Sequence, residues 1–195
     1  MRIVLASKSP RRIELLRSLG LDIEICPADV DENIDEVTEK PQEAVTLLAS
    51  RKAQAIAQKL CDPAALIIAA DTLVYKDNTL LGKPRDEDEA FSMLRTLSGD
   101  RHSVYTGICV AHDGKIAKKA VETAVFFRNL SDDEIENYVK SGEPMDKAGA
   151  YGIQGRACLF VKGIEGDYFN VVGLPLTELF EMIKENFGIS HHQMI

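Results

Sequence analysis

Several features that mark secreted or membrane-bound chains are missing from this sequence. Its four cysteines form no CxxC pair, so neither a zinc site nor a disulfide framework is predicted, and we expect buried free thiols. The apolar stretch Ile3–Ala6 is too short for a signal sequence, and no later apolar run is long enough to cross a membrane. We therefore expect a cytoplasmic protein that does not enter a membrane.

The usual signatures of nucleotide loops and nucleic-acid surfaces are also missing. Neither GxxxxGK nor GxGxxG occurs, and the four histidines lack the spacing of metal ligands. The formal net charge of -8, with no stripe of basic and aromatic residues, argues against nucleic acid as a partner. A small polyanion in a locally basic pocket is still compatible with this charge.

The remaining pattern is that of one mixed α/β domain over residues 1–195. No repeat or linker interrupts the chain, and 45% of the residues are hydrophobic, which is enough for a packed core. Strands are predicted in RIVLAS, LDIEIC, ALIIAADTLVY, HSVYTGICVA, KIAKKAVETAVFF and LFVKGI. Helices are predicted from Pro10 to Gly20 and in PQEAVTLLASRKAQAIAQKL, DEDEAFSMLRTLSG, SDDEIENYVKSG and LTELFEMIKENFG, with an acidic loop after Pro27 and a loop at GDYFNVVGLP.

Two arginines lie where helices normally carry acidic residues. Ser9 and Pro10 are typical of an N-cap and a first helical residue. Arg11 and Arg12 then fall in the first turn, at the positive end of the helix dipole, whereas two later helices have acidic first turns. An anion docked at this helix N-terminus would explain both arginines. The alternative is that they extend into solvent or pair with acidic residues of Asp29–Glu32.

An aspartate ends the apolar run ALIIAA. Asp71 is predicted to emerge from the carboxyl end of a buried strand, where open α/β sheets bind ligands and where a carboxylate can hold a metal or activate water. Glu32, in the acidic loop, could supply a second carboxylate for a divalent cation. The alternatives are a capping or turn role for Asp71 and a solvated position for Glu32.

Three polar residues in other segments could also contact a ligand. Lys83, in LGKPR, is held by its glycine and proline neighbours, which suits a phosphate contact. Lys52, on the alanine-rich helix, could reach a phosphate as well. Gln154, in the glycine-bearing stretch Asp146–Arg156, offers a donor and an acceptor to the edge of a base. Solvated lysines and a surface glutamine are the alternatives.

Six segments together resemble the Maf family of nucleotide pyrophosphatases. They are SKSPRR, VDE, AADT, GKPR, SGEPMDKAGAYGIQG and GDYFNVVGLP, in family-like order and spacing from Ile3 to about Phe180. The resemblance implies an α/β, inosine-triphosphatase-like (Maf/Ham1-type) fold, with an elongated mixed sheet, flanking helices and two lobes around a deep cleft. It also implies a cytoplasmic homodimer that hydrolyses nucleoside triphosphates to monophosphate and pyrophosphate with a divalent metal, Mg²⁺ or Mn²⁺.

The resemblance also assigns roles to individual residues. It implies that Asp71 is the proton acceptor, and we expect Glu32 to complete a metal site with it. Arg11, Thr72 and Gln154 match the specificity residues of the subfamily that prefers dTTP and UTP. Phosphate contacts are expected from Ser7, Ser9, Arg12, Lys52 and Lys83.

The chemistry of the bases agrees with this assignment. Gln154 can accept a hydrogen bond from N3–H of uracil or thymine and donate one to O4, whereas cytosine reverses both groups. In the expected reaction Asp71 takes a proton from a water that attacks the α-phosphorus as pyrophosphate leaves. Two alternatives stay open. One is a regulator of septum formation that binds nucleotide or nucleic acid without hydrolysis; the other is an enzyme for another nucleotide, such as a 7-methylated guanosine triphosphate.

Overall fold

A single mixed sheet carries the candidate residues. The computed structural model describes residues 1–34 and 39–195. Within them the strands are β1 (Ile3–Leu5), β2 (Ile23–Ile25), β3 (Leu66–Lys76), β4 (Thr79–Leu81), β5 (Arg101–His112), β6 (Lys115–Phe127) and β7 (Val161–Glu165). They pair in the order β2-β1-β3-β5-β6-β7, with β4 paired to β3. Strand β1 is parallel to both of its neighbours, and the other pairs are antiparallel.

Helices lie on both faces of this sheet. The α-helices of the described ranges are α1 (Pro10–Ser18), α2 (Pro41–Leu60), α3 (Glu87–Leu97), α4 (Asp132–Val139), α5 (Tyr168–Val172) and α6 (Leu176–Phe187). Short 3-10 helices occur at Glu143–Asp146, Ala148–Ala150, Arg156–Phe160 and His191–Gln193. No helix in the described part of the chain is both long and apolar enough to cross a bilayer.

The two faces are covered in different ways. Helix α2 packs on one face, where its alanines contact the β3 side chains of Ile67 and Ala69. On the other face, α1 and α6 build an apolar cluster at one end of the sheet, and α3 and α4 build a second cluster at the opposite end. The α/β class and the mixed sheet with flanking helices are confirmed, and the two lobes around a cleft stay a prediction.

Part of one edge of β3 has no partner strand. Pairing with β1 ends where Leu5 meets Ile68, and pairing with β4 begins where Leu81 meets Val74. Between these points no strand of the described residues pairs with that edge. We call this stretch, Ala69–Leu73, the edge gap.

One predicted loop is in part helical. The segment GDYFNVVGLP contains α5, which begins where the Asp167 side chain accepts a hydrogen bond from the backbone N–H of Phe169, 2.7 Å away. Five helical residues are too few to produce a helical hydrophobic period, so the sequence pattern did not indicate this helix. The acidic loop predicted after Pro27 includes residues 35 and 36, which lie outside the described residues.

One local feature was not anticipated, and one expectation needs correction. Asp86 caps α3 by accepting from the N–H of Glu89, and the Glu89 carboxylate accepts in turn from the N–H of Arg85 and not from that of the N-cap. The four cysteines are free, as expected, but only Cys109 is buried. Cys61 is exposed at the C-cap of α2, Cys158 is exposed within the 3-10 helix Arg156–Phe160, and Cys26 is partly exposed.

Candidate active site

The candidate site surrounds the edge gap of β3. The segment Ser7–Arg12, which leads from β1 into α1, borders the gap on one side because β1 ends beside Ile68. On the other side Gly82 and Lys83 continue from the end of β4. The polar segments that the sequence singled out therefore meet where a sheet edge is left without a partner.

Asp71 lies in the middle of β3. It pairs with Gly107 of β5, and β3 continues five residues further, to Lys76. The strand predicted in ALIIAADTLVY is therefore confirmed, but the expectation that Asp71 lies at its carboxyl end is wrong, because the strand continues past Thr72. Asp71 is nevertheless three residues past Ile68, the last β3 residue paired with β1, so it lies beyond the carboxyl end of a parallel strand.

Lys52 links the two carboxylates that were predicted to bind a metal. Its Nζ lies 2.5 Å from Asp71 Oδ1 and 3.0 Å from Glu32 Oε1. The side chains of Lys52 and Asp71 are each 13% exposed, and that of Glu32 is 63% exposed. The hydrogen bond from Lys52 lowers the pKa of Glu32; burial raises it in part, and the charges of Lys52, Lys83 and Lys8 lower it further. Three ammonium groups thus lie around one ionised carboxylate at the gap.

A glycine brings α2 close enough for this ion pair. A Cβ on Gly107 would lie 2.3 Å from the backbone of Val45, so only glycine fits beneath α2. Gly107 is the cross-strand partner of Asp71, and directly opposed residues share a face of the sheet. Lys52 follows Val45 by about two helical turns and so lies on the same side of α2. The close helix-to-strand contact therefore carries Lys52 onto Asp71.

Arg12 lies on the opposite face of β3. Its Nε donates to the carbonyl of Gly173 at 2.8 Å, Nη1 donates to Ser7 Oγ at 3.3 Å, and Nη2 donates to Thr72 Oγ1 at 3.0 Å. Burial lowers the pKa of Arg12 below its usual range, although the charge of Asp71 opposes this. For Arg12, the alternatives of an extended, solvated side chain and a pairing with the acidic loop are therefore wrong.

Gly173 is also fixed by close contacts. Its φ of +117° lies in the left-handed region, and a Cβ there would come within 3.3 Å of Thr72 Oγ1. The glycine thus allows the chain after α5 to present a carbonyl to Arg12 without crowding Thr72.

Arg11 faces a different part of the molecule from Arg12. It is half-buried, and its charge acts on Asp146, which belongs to the same loop as Gln154. Burial raises the pKa of Asp146, but the hydrogen bond and charge of Lys147 and the charge of Arg11 bring it below its usual range. Gln154 is half-buried and makes no hydrogen bond through its side chain to the described residues. The two adjacent arginines therefore have different neighbours: Arg12 is bonded beside Thr72, whereas the charge of Arg11 acts on Asp146.

The remaining predicted phosphate contacts are Ser7, Ser9 and Lys83. Ser7 is buried, and its hydroxyl accepts from the backbone N–H of Ser9 at 3.2 Å as well as from Arg12. Ser9 is the N-cap of α1, but its side chain makes no capping hydrogen bond. Lys83 is exposed. The first N–H groups of α1 therefore have no side-chain cap, in a helix whose first turn has no acidic residue.

Two carboxylates alone are an incomplete set of metal ligands. The described residues contain no group of three or more His, Cys, Asp or Glu placed to hold a metal ion. Mg²⁺ is often held by one or two carboxylates with substrate phosphates and water as its other ligands. The oxygen donors of Glu32 and Asp71 fit a metal of that kind.

Comparison with known proteins identifies the family. The sequence model of the Maf family, described as Maf-like protein, matches residues 2–186 of this chain. The chain belongs to the Maf family. A dTTP/UTP pyrophosphatase of Thermoanaerobacter sp. (strain X514) is 50% identical over 191 residues, which cover 97% of this chain and 98% of that protein. A protein of the same name from Pelotomaculum thermopropionicum is 52% identical over 188 residues, which cover 95% of this chain and 96% of that protein.

The similarity to solved structures is weaker. The Ham1 protein of Staphylococcus aureus is 16% identical and aligns over 100% of this chain and 93% of its own, with a TM-score of 0.45. In this Maf protein the six segments that carried the resemblance surround the edge gap from both faces of β3.

Several residues of the candidate site were missed from the sequence. The missed residues are Thr106, Gly107 and Asn170. Thr106 and Gly107 are the cross-strand partners of Thr72 and Asp71, and Thr106 and Asn170 are fully buried. A glycine within an apolar strand is a known sign of close backbone approach, so Gly107 could have been found. Nothing in the local pattern around Asn170 indicates that its side chain is buried.

Proposed function

We propose that this chain hydrolyses dTTP and UTP to the nucleoside monophosphate and pyrophosphate, a role in clearing the nucleotide pool. The observation that carries the proposal is the identity of about 50% with proteins named dTTP/UTP pyrophosphatase over nearly the full length of both chains. The geometry supports it, because a carboxylate and cationic groups meet at one gap. We also propose that residues 1–195 act as one domain, as a cytoplasmic homodimer.

Asp71 is the proposed proton acceptor. Its Oδ1 is bound by Lys52, and the described residues give no hydrogen bond to Oδ2. Oδ2 is thus available to take a proton from a water molecule as that water attacks the α-phosphorus and pyrophosphate departs. Lys52 holds the carboxylate in place and keeps a positive charge beside the reacting phosphate.

The phosphate contacts follow from the unused donors. A guanidinium has five N–H donors, and Arg12 uses three on protein groups, which leaves one on each terminal nitrogen for phosphate oxygens. Lys52 and Lys83 add charge, while Ser7 and Ser9 lie beside the N–H groups of α1. These donors would stabilise the charge that accumulates on departing pyrophosphate.

A divalent cation, Mg²⁺ or Mn²⁺, fits this proposal. Glu32 and Asp71 would hold it together with the phosphates. When bound, such an ion neutralises phosphate charge and lowers the pKa of a coordinated water.

Base selection is proposed for Arg11, Thr72 and Gln154. Gln154 has no hydrogen-bond partner in the described part of the chain, so both ends of its amide are available to O4 and N3–H of a uracil or thymine ring. Arg11 lies towards the same loop, whereas Thr72 contacts Arg12.

The central test is Asp71→Asn. With dTTP or UTP and Mg²⁺ or Mn²⁺, we expect the variant to lose about 100-fold or more in kcat, measured as pyrophosphate release. Asp100→Asn is the matched control, because Asp100 also pairs with a lysine, at 2.6 Å from Lys76, but outside the gap. Turnover retained in Asp71→Asn would remove the proposed base. Absence of turnover of every triphosphate by the wild-type protein would favour the non-hydrolysing regulator.

A second test concerns the base. Arg11→Ala should alter the ranking of dTTP and UTP over CTP and a 7-methylated guanosine triphosphate, while keeping pyrophosphate as the product. If the ranking is unchanged and only the overall rate falls, both arginines act on phosphate.

A further inference from the structure

A row of buried polar groups connects Arg12 to α5. Thr72 Oγ1 accepts from Arg12 Nη2 at 3.0 Å and lies 2.9 Å from Thr106 Oγ1, and Thr106 Oγ1 lies 2.9 Å from the carbonyl oxygen of Asn170. Thr72 and Thr106 are cross-strand partners, so their hydroxyls share the face that holds the two apolar clusters. The row separates these clusters.

The direction of every hydrogen bond in this row is fixed. A carbonyl oxygen only accepts, so Thr106 must donate its single hydroxyl proton to Asn170. Thr106 then has no proton for Thr72, and the bond between the two hydroxyls requires Thr72 to be the donor. Thr72 in turn accepts from Arg12, which only donates. The Thr72 hydroxyl therefore has no proton left for a substrate, and one lone pair remains.

The far end of the row is held by its own contacts. The Asn170 amide nitrogen donates to Val104 O at 3.0 Å and to Thr123 Oγ1 at 2.9 Å. The Thr123 hydroxyl also donates to Asp167 O and accepts from the Asp167 N–H, each at 3.0 Å. Helix α5 is thus fixed on β5 and β6. Thr106 and Asn170 are 0% exposed, so neither can touch a nucleotide.

We propose that Thr106 and Asn170 are positioning residues for the nucleotide site. They hold the Thr72 hydroxyl as an acceptor and so orient the Arg12 guanidinium, whose two free N–H groups meet the phosphates. Loss of the row would let Thr72 rotate, and Arg12 would keep only its contacts with Ser7 and Gly173. This inference rests on the proposed function for the identity of the nucleotide, but the row itself is independent of it.

The test is a double-mutant cycle at two positions of similar shape. Thr106→Val removes both hydrogen bonds of the hydroxyl with little change of volume, Thr106→Ser keeps them, and Thr72→Val breaks the row one step earlier. We expect Thr106→Val to lower kcat/KM for UTP about tenfold, through a displaced Arg12, and Thr106→Ser to stay within about twofold of wild type. In the Thr72→Val background, Thr106→Val should cost less than about twofold, because the row is already broken.

The wild-type protein, the three single variants and the double variant are also titrated with a UTP analogue that carries an imido bridge between the α- and β-phosphorus, so that binding is measured without turnover. Urea unfolding of each variant reports structural loss separately. An equal effect of Thr106→Val in both backgrounds, or a Thr106→Ser variant no better than Thr106→Val, overturns the positioning role. If the cycle shows coupling in analogue binding but the wild-type protein hydrolyses neither dTTP nor UTP, the proposed function alone is overturned. If the wild-type protein neither binds the analogue nor hydrolyses dTTP or UTP, both the proposed function and the positioning role are overturned.

Discussion

A buried histidine should make the stability of this protein fall in mild acid. His102 on β5 is 1% exposed, its Nε2 lies 2.7 Å from the Tyr151 hydroxyl, and its ring packs edge-on against Phe127 with the centroids 5.0 Å apart. Burial lowers the pKa of His102 from 6.5 to about 3, and the positive charges of Lys76 and Arg101 contribute in the same direction. The folded protein therefore keeps this imidazole neutral.

The sign of the effect follows from proton uptake. Below pH 6.5 the unfolded chain binds a proton at His102 that the folded chain excludes, so the free energy of unfolding decreases as the pH falls from 6.5 towards about 3. With these two pKa values, His102 alone removes about 2 kcal/mol between about pH 7.5 and about pH 5, with a slope near 1.3 kcal/mol per pH unit at the lower end.

Urea unfolding followed by circular dichroism at both pH values measures this loss. His102→Gln is the matched control, because a glutamine amide can still reach the Tyr151 hydroxyl but does not titrate. We expect the variant to be less stable at neutral pH and to lose about 2 kcal/mol less than wild type on acidification. Equal losses in the two proteins, or a His102 imidazole that titrates near 6.5 in the NMR spectrum of the folded protein, would refute the reasoning.

Two further predictions concern packing and thiol reactivity. Gly107→Ala should destabilise the protein by about 3 kcal/mol, because its Cβ would lie 2.3 Å from the backbone of Val45. Gly163→Ala, where nothing lies within 4 Å, is the control, and equal urea midpoints would contradict the close contact. Cys109 should resist Ellman's reagent in the folded protein, because it is buried and burial raises the pKa of its thiol. The exposed Cys158 should react at once, and rapid labelling of Cys109 would show that β5 opens readily.

The sequence indicated the participants of the site better than their arrangement. The misplaced charge of Arg12 and the position of Asp71 in an apolar run are local signals, and both residues lie at the gap. The contact between Lys52 and Asp71 depends on the close packing of α2 against β5, and no local sequence pattern predicts how a helix packs against a distant strand. Lys52 and Asp71 are 19 residues apart in the chain, and the contact of α2 with β5 brings Lys52 Nζ to 2.5 Å from Asp71 Oδ1.

Strand length explains the main error. The carboxyl-end rule was applied to β3, which continues past Asp71, whereas the strand that ends there is β1. The gap arises because β1 is three residues long and β3 is eleven, and the hydrophobic pattern of either strand does not reveal that the two are paired or in which register. Asn170 was missed for a related reason, since α5 is too short to show a period and its polar side chain is buried only after the sheet has formed.

The alternation along β3 restricts how this chain can change in length. Asp71 reaches the face under α2, and Thr72 reaches the face beneath α1 and α5, so two consecutive residues supply both sides of one sheet. Inserting or deleting a single residue between Leu66 and Asp71 would exchange the acid and the hydroxyl between the faces. We therefore expect alignments of working relatives to run without gaps through this strand, and length differences to fall in surface turns such as His112–Lys115.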